Sequence, residues 1–309
     1  MDDRICYFSG NYIRESEVRL SLWDTGLIGG GAYEAARTYN HAPYQWKEHI
    51  DRLFYSLRSL HIDPGLTPAE VYDITLEVFK RNEKGLEPED DCIIMYWVSR
   101  GAMPNFYARP TRPTVIVYCI NLSPVYEIIA KNYQEGIHLV VANTRQMPLQ
   151  CLDPRIKHTN RLCNNLADFE AKMVDPQAFA LVLDIDGFVC EGPRQNVFMV
   201  KDRKLLTPKL THCLGGITRA TILELAKELK IECAEEDLTV YDMYNADEIF
   251  ITATSFTIYP VVKFNERVLE KPFPGAVTKR LFSAFSKKVG VDIVGRVVNY
   301  TKAKKELKK

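Results

Sequence analysis

The chain has 309 residues, 46% of them hydrophobic and 26% charged. That is ordinary globular composition with room for about two domains, and it excludes a disordered, collagenous or coiled-coil chain. Forty basic side chains balance forty acidic ones, so no strong field draws the protein to nucleic acid or to an anionic membrane surface.

Ile5–Phe8 and Ser9–Arg14 read as a hairpin turning at Gly10-Asn11. Glu48–Leu60 is a helix, with Ile50, Leu53, Leu57 and Leu60 on one face. Val71–Arg81 is a second helix. Two β-rich runs follow, Cys92–Ser99 and Thr114–Asn121, separated by the loop Arg100–Pro113, long enough to suggest a functional role. Ser123–Glu135 has weak periodicity and is expected to connect the domains, giving a small N-terminal domain (residues 1–122), a linker (123–135) and a larger C-terminal domain (136–309). After it come a strand at Gly136–Asn143 and a helix at Arg161–Val174 with Leu162, Leu166, Phe169 and Met173 in register. Phe179–Ile185 and Phe188–Cys190 suggest a hairpin across Asp186-Gly187. Asn196–Val200 and Lys204–Thr207 suggest another, followed by a helix at Thr218–Lys230 and a strand at Glu248–Thr252. Strands in hairpins outnumber helices, which favours an α+β fold.

The eight cysteines form no C-x-x-C pair and mostly sit in apolar runs, as reduced packed thiols do. The histidines lack metal-ligand spacing, so no metal is expected. The chain opens Met1-Asp2-Asp3-Arg4 without an apolar signal segment. Its longest apolar stretch, Val115–Ile120, is far short of the ~18 residues of a membrane span. A cytoplasmic protein without membrane or nucleic-acid partners is expected.

Several segments carry candidate chemistry. Leu214-Gly215-Gly216-Ile217-Thr218-Arg219 runs into a helix, where open backbone N–H groups and the helix dipole favour an anion; a plain turn and cap is the alternative. Thr252–Thr257 is dense in hydroxyls and suits a second anion contact or a polar turn. Arg52 falls nearly opposite the apolar stripe of its helix, as a solvated arginine or as a cation aimed at a phosphate. Lys157 and Glu191 read, from the residues alone, as a surface lysine and a turn acid.

In order along the chain, these pieces resemble the fold-type IV (class IV) aminotransferases. The matching segments are Asp24…Gly29-Gly30-Gly31-Ala32-Tyr33-Glu34, Glu48-His49-Ile50-Asp51-Arg52-Leu53, Lys157-His158-Thr159-Asn160-Arg161-Leu162, Glu191-Gly192…Asn196-Val197-Phe198, Leu214–Arg219, Asp247-Glu248-Ile249-Phe250 and Thr252–Val261. The resemblance implies a two-domain α+β enzyme, a homodimer, using pyridoxal 5′-phosphate. It implies that Lys157 forms the Schiff base and moves the proton, and that Glu191 pairs with the pyridine nitrogen. Arg52, Ile217, Thr218 and Thr254 hold the phosphate, Leu214 packs on the ring, and Tyr33 reaches the lysine or the substrate. Asn105 and Tyr107 stand where D-amino acid aminotransferases carry an arginine and a histidine for the substrate carboxylate. Arg109 and Arg112 are therefore the candidate cations. A branched-chain-like amino donor and a 2-oxo acid acceptor are favoured. D-amino acid or (R)-amine transamination and an aminodeoxychorismate-type lyase reaction are the alternatives.

Overall fold

The computed structural model describes residues 3–110, 112–270 and 272–306. They form two compact units, 1–124 with 156–161, and 125–155 with 162–309.

The first unit is a six-stranded sheet in the order β2-β1-β6-β5-β3-β4. Its strands are β1 (Ile5–Phe8), β2 (Asn11–Arg14), β3 (Gly31–Tyr39), β4 (Ala42–Tyr44), β5 (Cys92–Ser99) and β6 (Thr114–Asn121). The expected hairpin forms with Ile5 opposite Arg14 and Phe8 opposite Asn11. Two helices, α1 (Trp46–Ser59) and α2 (Pro68–Glu83), share its core. Ile50, Leu53 and Leu57 are buried as their spacing predicts. Thr67 caps α2 and exchanges bonds with Glu70, with Pro68 in the first turn. Sequence periodicity did not mark β3. Apart from Tyr33, its residues Gly-Ala-Tyr-Glu-Ala-Ala have low strand propensity, and most of the strand is buried, so polar and apolar positions do not alternate.

The second unit holds an eight-stranded sheet, β11-β10-β9-β12-β13-β7-β8 with β14 on β13. Its strands are β7 (Ile137–Arg145), β8 (Phe179–Leu183), β9 (Asn196–Lys201), β10 (Lys204–Pro208), β11 (Cys233–Glu236), β12 (Glu248–Ala253), β13 (Thr257–Phe264) and β14 (Arg267–Val268). Its helices are α3 (Tyr126–Glu135), α4 (Leu162–Val174), α5 (Ile217–Glu228), α6 (Val240–Tyr244), α7 (Ala276–Val289) and α8 (Ile293–Glu306).

Three expectations change here. Most of 123–135 is helix α3 rather than an open connection, because Tyr126, Ile129, Ala130 and Tyr133 form a buried stripe. The segment after Gly187 does return along β8 as expected, the Asp184 and Cys190 amides donating to the Phe188 and Val182 carbonyls at 2.9 Å each, but it forms isolated bridges, Leu183 to Val189 and Phe188 to Thr239, rather than a continuous strand. On α4 the apolar stripe faces outward. Ala167 and Ala171 are buried, whereas Leu162 (64%), Leu166 (47%), Phe169 (65%) and Met173 (74%) are exposed.

Candidate active site

In the first unit, strand β3 carries both the ring and the acid of the site. The Tyr33 amide donates to the Lys157 carbonyl at 3.0 Å, and the Thr159 amide donates to the Gly31 carbonyl at 2.8 Å. The Lys157 amide donates to Ser56 Oγ on α1 at 3.0 Å. These bonds explain why 156–161 groups with the first unit, although its position in the chain places it within the expected C-terminal domain. They set Lys157 Nζ 4.5 Å from the Tyr33 ring centre, with the Arg161 guanidinium 5.7 Å from it. Burial raises the Tyr33 hydroxyl's pKa, but the cations Lys157 and Arg161 outweigh it and leave it below its ordinary value.

Arg52 is not solvated. Its Nη2 and Nε donate to Glu34 Oε1 at 2.6 and 3.0 Å, and its side chain is only 11% exposed. The other Glu34 oxygen meets His49 Nδ1. Burial opposes ionisation of Glu34, yet Arg52 and His49 hold its pKa down at about 2. Burial keeps His49 below its usual range against the pull of Glu34, so the neutral ring donates its Nδ1–H to the carboxylate.

In the second unit, Glu191 is buried. Its Oε2 accepts from Asn196 Nδ2 at 3.0 Å and from the Leu214 amide at 3.2 Å. Asn196 also donates to the Leu214 carbonyl at 2.8 Å. The same stretch opens α5, whose N-cap Gly216 makes no side-chain capping bond. Ile217 and Thr218 thus lie in a first turn whose amides receive no side-chain cap from Gly216, as an anion-binding helix start requires. Thr254 stands in the turn joining β12 to β13. Thr252, opposite Asn196 in the sheet, has a buried hydroxyl that meets no protein partner among the described residues. Gly216 admits no side chain, since a Cβ there would lie 2.0 Å from Asn196 Oδ1. Alanine at 216 is therefore expected to displace Asn196 and release Glu191, at about 1–3 kcal/mol. Urea unfolding of Gly216→Ala against wild type measures it.

Arg109 and Arg112 line an open cleft of about 690 Å³ within the first unit, together with Arg100, His61 and Asp63. Asn105 is used otherwise, its Oδ1 accepting the Tyr107 and Ala108 amides at 3.0 Å each. Arg100 donates to the Leu60 carbonyl.

The sequence model of Amino-transferase class IV matches residues 31–264. The chain is a class IV aminotransferase. It is 36% identical to a Methanocaldococcus jannaschii protein provisionally named a branched-chain-amino-acid aminotransferase, over 90% of this chain and 94% of that one. A D-alanine aminotransferase of Bacillus licheniformis is 30% identical over 91% and 96% of the two chains. Among solved structures, the branched-chain amino acid aminotransferase from Escherichia coli shares the fold. The TM-score is 0.81 at 26% identity, covering 92% of this chain and 93% of that one.

The aminotransferase uses residues that sequence reasoning left without a role. Glu34 and His49 fix Arg52, Asn196 fixes Glu191, and Thr159 ties the lysine segment to β3. One signal was present for Glu34, an acid inside an alanine-rich run where a solvated side chain has no place. Nothing comparable marks Asn196, whose partners are 5 and 18 residues away in sequence.

Proposed function

We propose that this aminotransferase binds pyridoxal 5′-phosphate and moves an amino group from a branched-chain-like amino acid to a 2-oxo acid. The observation that carries the reading is the stretch 214–218. Its Leu214 amide holds the Glu191 carboxylate, and its next residues open α5 as an anion site. A buried acid for a pyridinium N–H and an uncapped helix start for a phosphate are the donor set this cofactor requires, so the residues fit the group. When bound, the cofactor supplies the electron sink that lets the substrate Cα–H bond break.

The chain's own residues do the rest. Glu191 accepts the ring N–H bond. The Ile217 amide, the Thr218 and Thr254 hydroxyls and Arg52 hold the phosphate, and Leu214 packs on the ring. Lys157 carries the proton to and from Cα. Tyr33, whose hydroxyl the nearby cations acidify, borders the lysine on the substrate side. Arg109 and Arg112 supply the cation for the substrate carboxylate, which is costly to bury unpaired.

The reading is tested with leucine and valine in both enantiomers, D-alanine and (R)-1-phenylethylamine as donors, following cofactor absorbance. Conversion by the branched-chain donors supports it. Activity confined to the amine, or release of pyruvate without conversion of the cofactor, overturns it. The D-alanine aminotransferase relative makes D-alanine the competing donor. Alanine at Arg109 or Arg112 is expected to raise the KM for the amino acid about 10–100-fold, the cost of charge-assisted bonds. Steady-state kinetics on both variants checks it.

We also place the enzyme in the cytoplasm as a homodimer. Its eight cysteines are all thiols, as a reducing compartment keeps them. The outward stripe Leu162, Leu166, Phe169 and Met173 on α4 is a contiguous apolar face of the kind monomers rarely expose. A two-fold pairing that covers it is the commonest assembly. Glutamate at Leu166 and Phe169 together is expected to convert the dimer to monomer in sedimentation equilibrium. A wild-type monomer contradicts the proposal.

A further inference from the structure

The second unit also gathers Asp184, Cys190 and His212, none of which is assigned to cofactor or substrate. One ligand atom from each lies within 4.8 Å of the other two. They come from the turn after β8, the segment returning from it, and the loop between β10 and α5.

The three side chains are oriented as a donor set. Asp184 Oδ1 accepts the amides of Asp186 and Phe188 at 3.0 and 2.8 Å. Its Oδ2 is thereby turned to His212 Nδ1, 2.9 Å away. On the far side of the ring, His212 Nε2 lies 3.0 Å from Asp237 Oδ1, and Asp237 is itself paired with Lys209. A ring that donates Nε2–H to Asp237 presents the Nδ1 lone pair to Asp184. This carboxylate–histidine relay commonly orients a metal-bound imidazole. Lone pairs on Nδ1 and Oδ2 at 2.9 Å repel unless something positive lies between them, a proton or a metal ion. The Cys190 thiol is buried, and its hydrogen-bond acceptor is the Phe188 carbonyl at 3.7 Å, a weak contact that a metal bond would readily replace.

We propose that Asp184, Cys190 and His212 form a site for a zinc-like divalent cation, with Asp237 orienting the histidine. A carboxylate, a thiolate and a neutral imidazole cancel the charge of the ion. A mixed O, S and N set selects zinc or cobalt over magnesium or calcium, which require oxygen ligands. Bonds of about 2.0–2.3 Å place tetrahedral donors roughly 3.3–3.8 Å apart, so the 2.9 Å Asp184–His212 contact opens by about half an ångström to admit the ion, with the Cys190 sulfur within 4.8 Å of both ligand atoms. The fourth corner is left to water. The Asp184 and His212 side chains are 14% and 16% exposed, which gives the ion a way in. Burial and the charges of Asp184 and Glu191 push the Cys190 thiol's pKa up; a cation reverses that balance and displaces the thiol proton. The site is independent of the cofactor reading. Its consequence reaches Glu191 all the same. Cys190 directly precedes that acid, and His212 lies two residues before Leu214, whose amide binds it, so one ion clips together both segments that hold the acid.

The test uses tag-free protein as purified, stripped with a chelator and titrated with cobalt(II) in equilibrium dialysis. The visible d–d bands report the coordination. One cobalt per chain with intense tetrahedral bands, displaced by zinc, is expected. Cys190→Ser should abolish the intense bands. Asp237→Asn should weaken binding about 10–100-fold, the usual effect of losing such a relay. Absence of stoichiometric cobalt, or unchanged bands in Cys190→Ser, overturns the proposal. The cadmium-113 resonance of the wild-type complex needs no variant and guards against a misfolded Cys190→Ser. A shift in the range of one bound thiolate supports the site, and a shift typical of nitrogen and oxygen ligands alone rejects it.

Discussion

Alanine at Lys157 is expected to lower the transamination rate by about 10⁴-fold while leaving the fold intact. The two effects separate because the segment is held by its backbone. The Lys157 amide binds Ser56 Oγ, its carbonyl accepts from Tyr33, and Thr159 binds Gly31. None of these contacts involves the lysine side chain. Truncation removes an ammonium that hydrogen-bonds Tyr33, 4.5 Å from its ring centre, and a minor share of the positive charge facing Glu34, so circular dichroism and urea midpoints should stay near wild type. Tyr33 should change in step. Losing the Lys157 cation moves its hydroxyl back up toward its ordinary pKa, visible as a shift in the ultraviolet titration of tyrosinate. In wild-type enzyme, borohydride should leave the pyridoxyl group on the peptide containing Lys157. Label on a different lysine removes the residue from the mechanism.

Glu34→Ala is expected to cost about 3–5 kcal/mol, because it leaves the nearly buried Arg52 guanidinium without its carboxylate. The same acid makes the enzyme sensitive to low pH. Glu34 has an ordinary pKa of 4.5 and sits at about 2 in the folded chain. The unfolded chain therefore binds a proton that the folded chain refuses. The stabilisation, about 3 kcal/mol, is complete above pH 4.5 and lost as the pH falls through 2. His49 acts with the same sign from a higher starting point. Its folded pKa is depressed, so the unfolded ring takes up a proton first, and stability begins to fall as the pH drops below about 6.5. Urea unfolding between pH 7 and pH 3 should show a steep loss in wild type and a shallower one in Glu34→Gln. Parallel slopes in the two proteins would remove Glu34 from the account. Arg52 is also a proposed phosphate ligand, so Glu34→Gln should weaken cofactor retention at pH 7, measured by dialysis.

Periodicity made α1 legible, yet it could not say what its polar face meets. Arg52 lies opposite the apolar stripe, and only the strand β3, itself hidden by small residues and burial, turns that polar face into a buried ion-pair site. The reverse happened on α4. There a perfect helical stripe looked like core, and the buried side proved to be two alanines, since spacing reports which residues share a face but not which face turns inward. The lysine was legible only through the ordered set of family motifs. By composition it is one more loop lysine, and what distinguishes it, bonds from its own amide and carbonyl to residues over 100 positions away, leaves no trace in neighbouring sequence. Glu191 followed the same rule, fixed by an asparagine and an amide that local pattern does not connect.

The grouping of 156–161 with the first 124 residues bears on how such enzymes can be cut and recombined. A break between 124 and 125 leaves Lys157 on one fragment and Gly31, Tyr33 and Ser56, which anchor its backbone, on the other. Neither fragment then carries a held lysine, because each of those bonds joins the two pieces. For the same reason, a chimaera that takes its carboxyl-terminal half from a relative must match the incoming lysine segment to the resident β3 and α1, and a crossover chosen by length alone will misplace it.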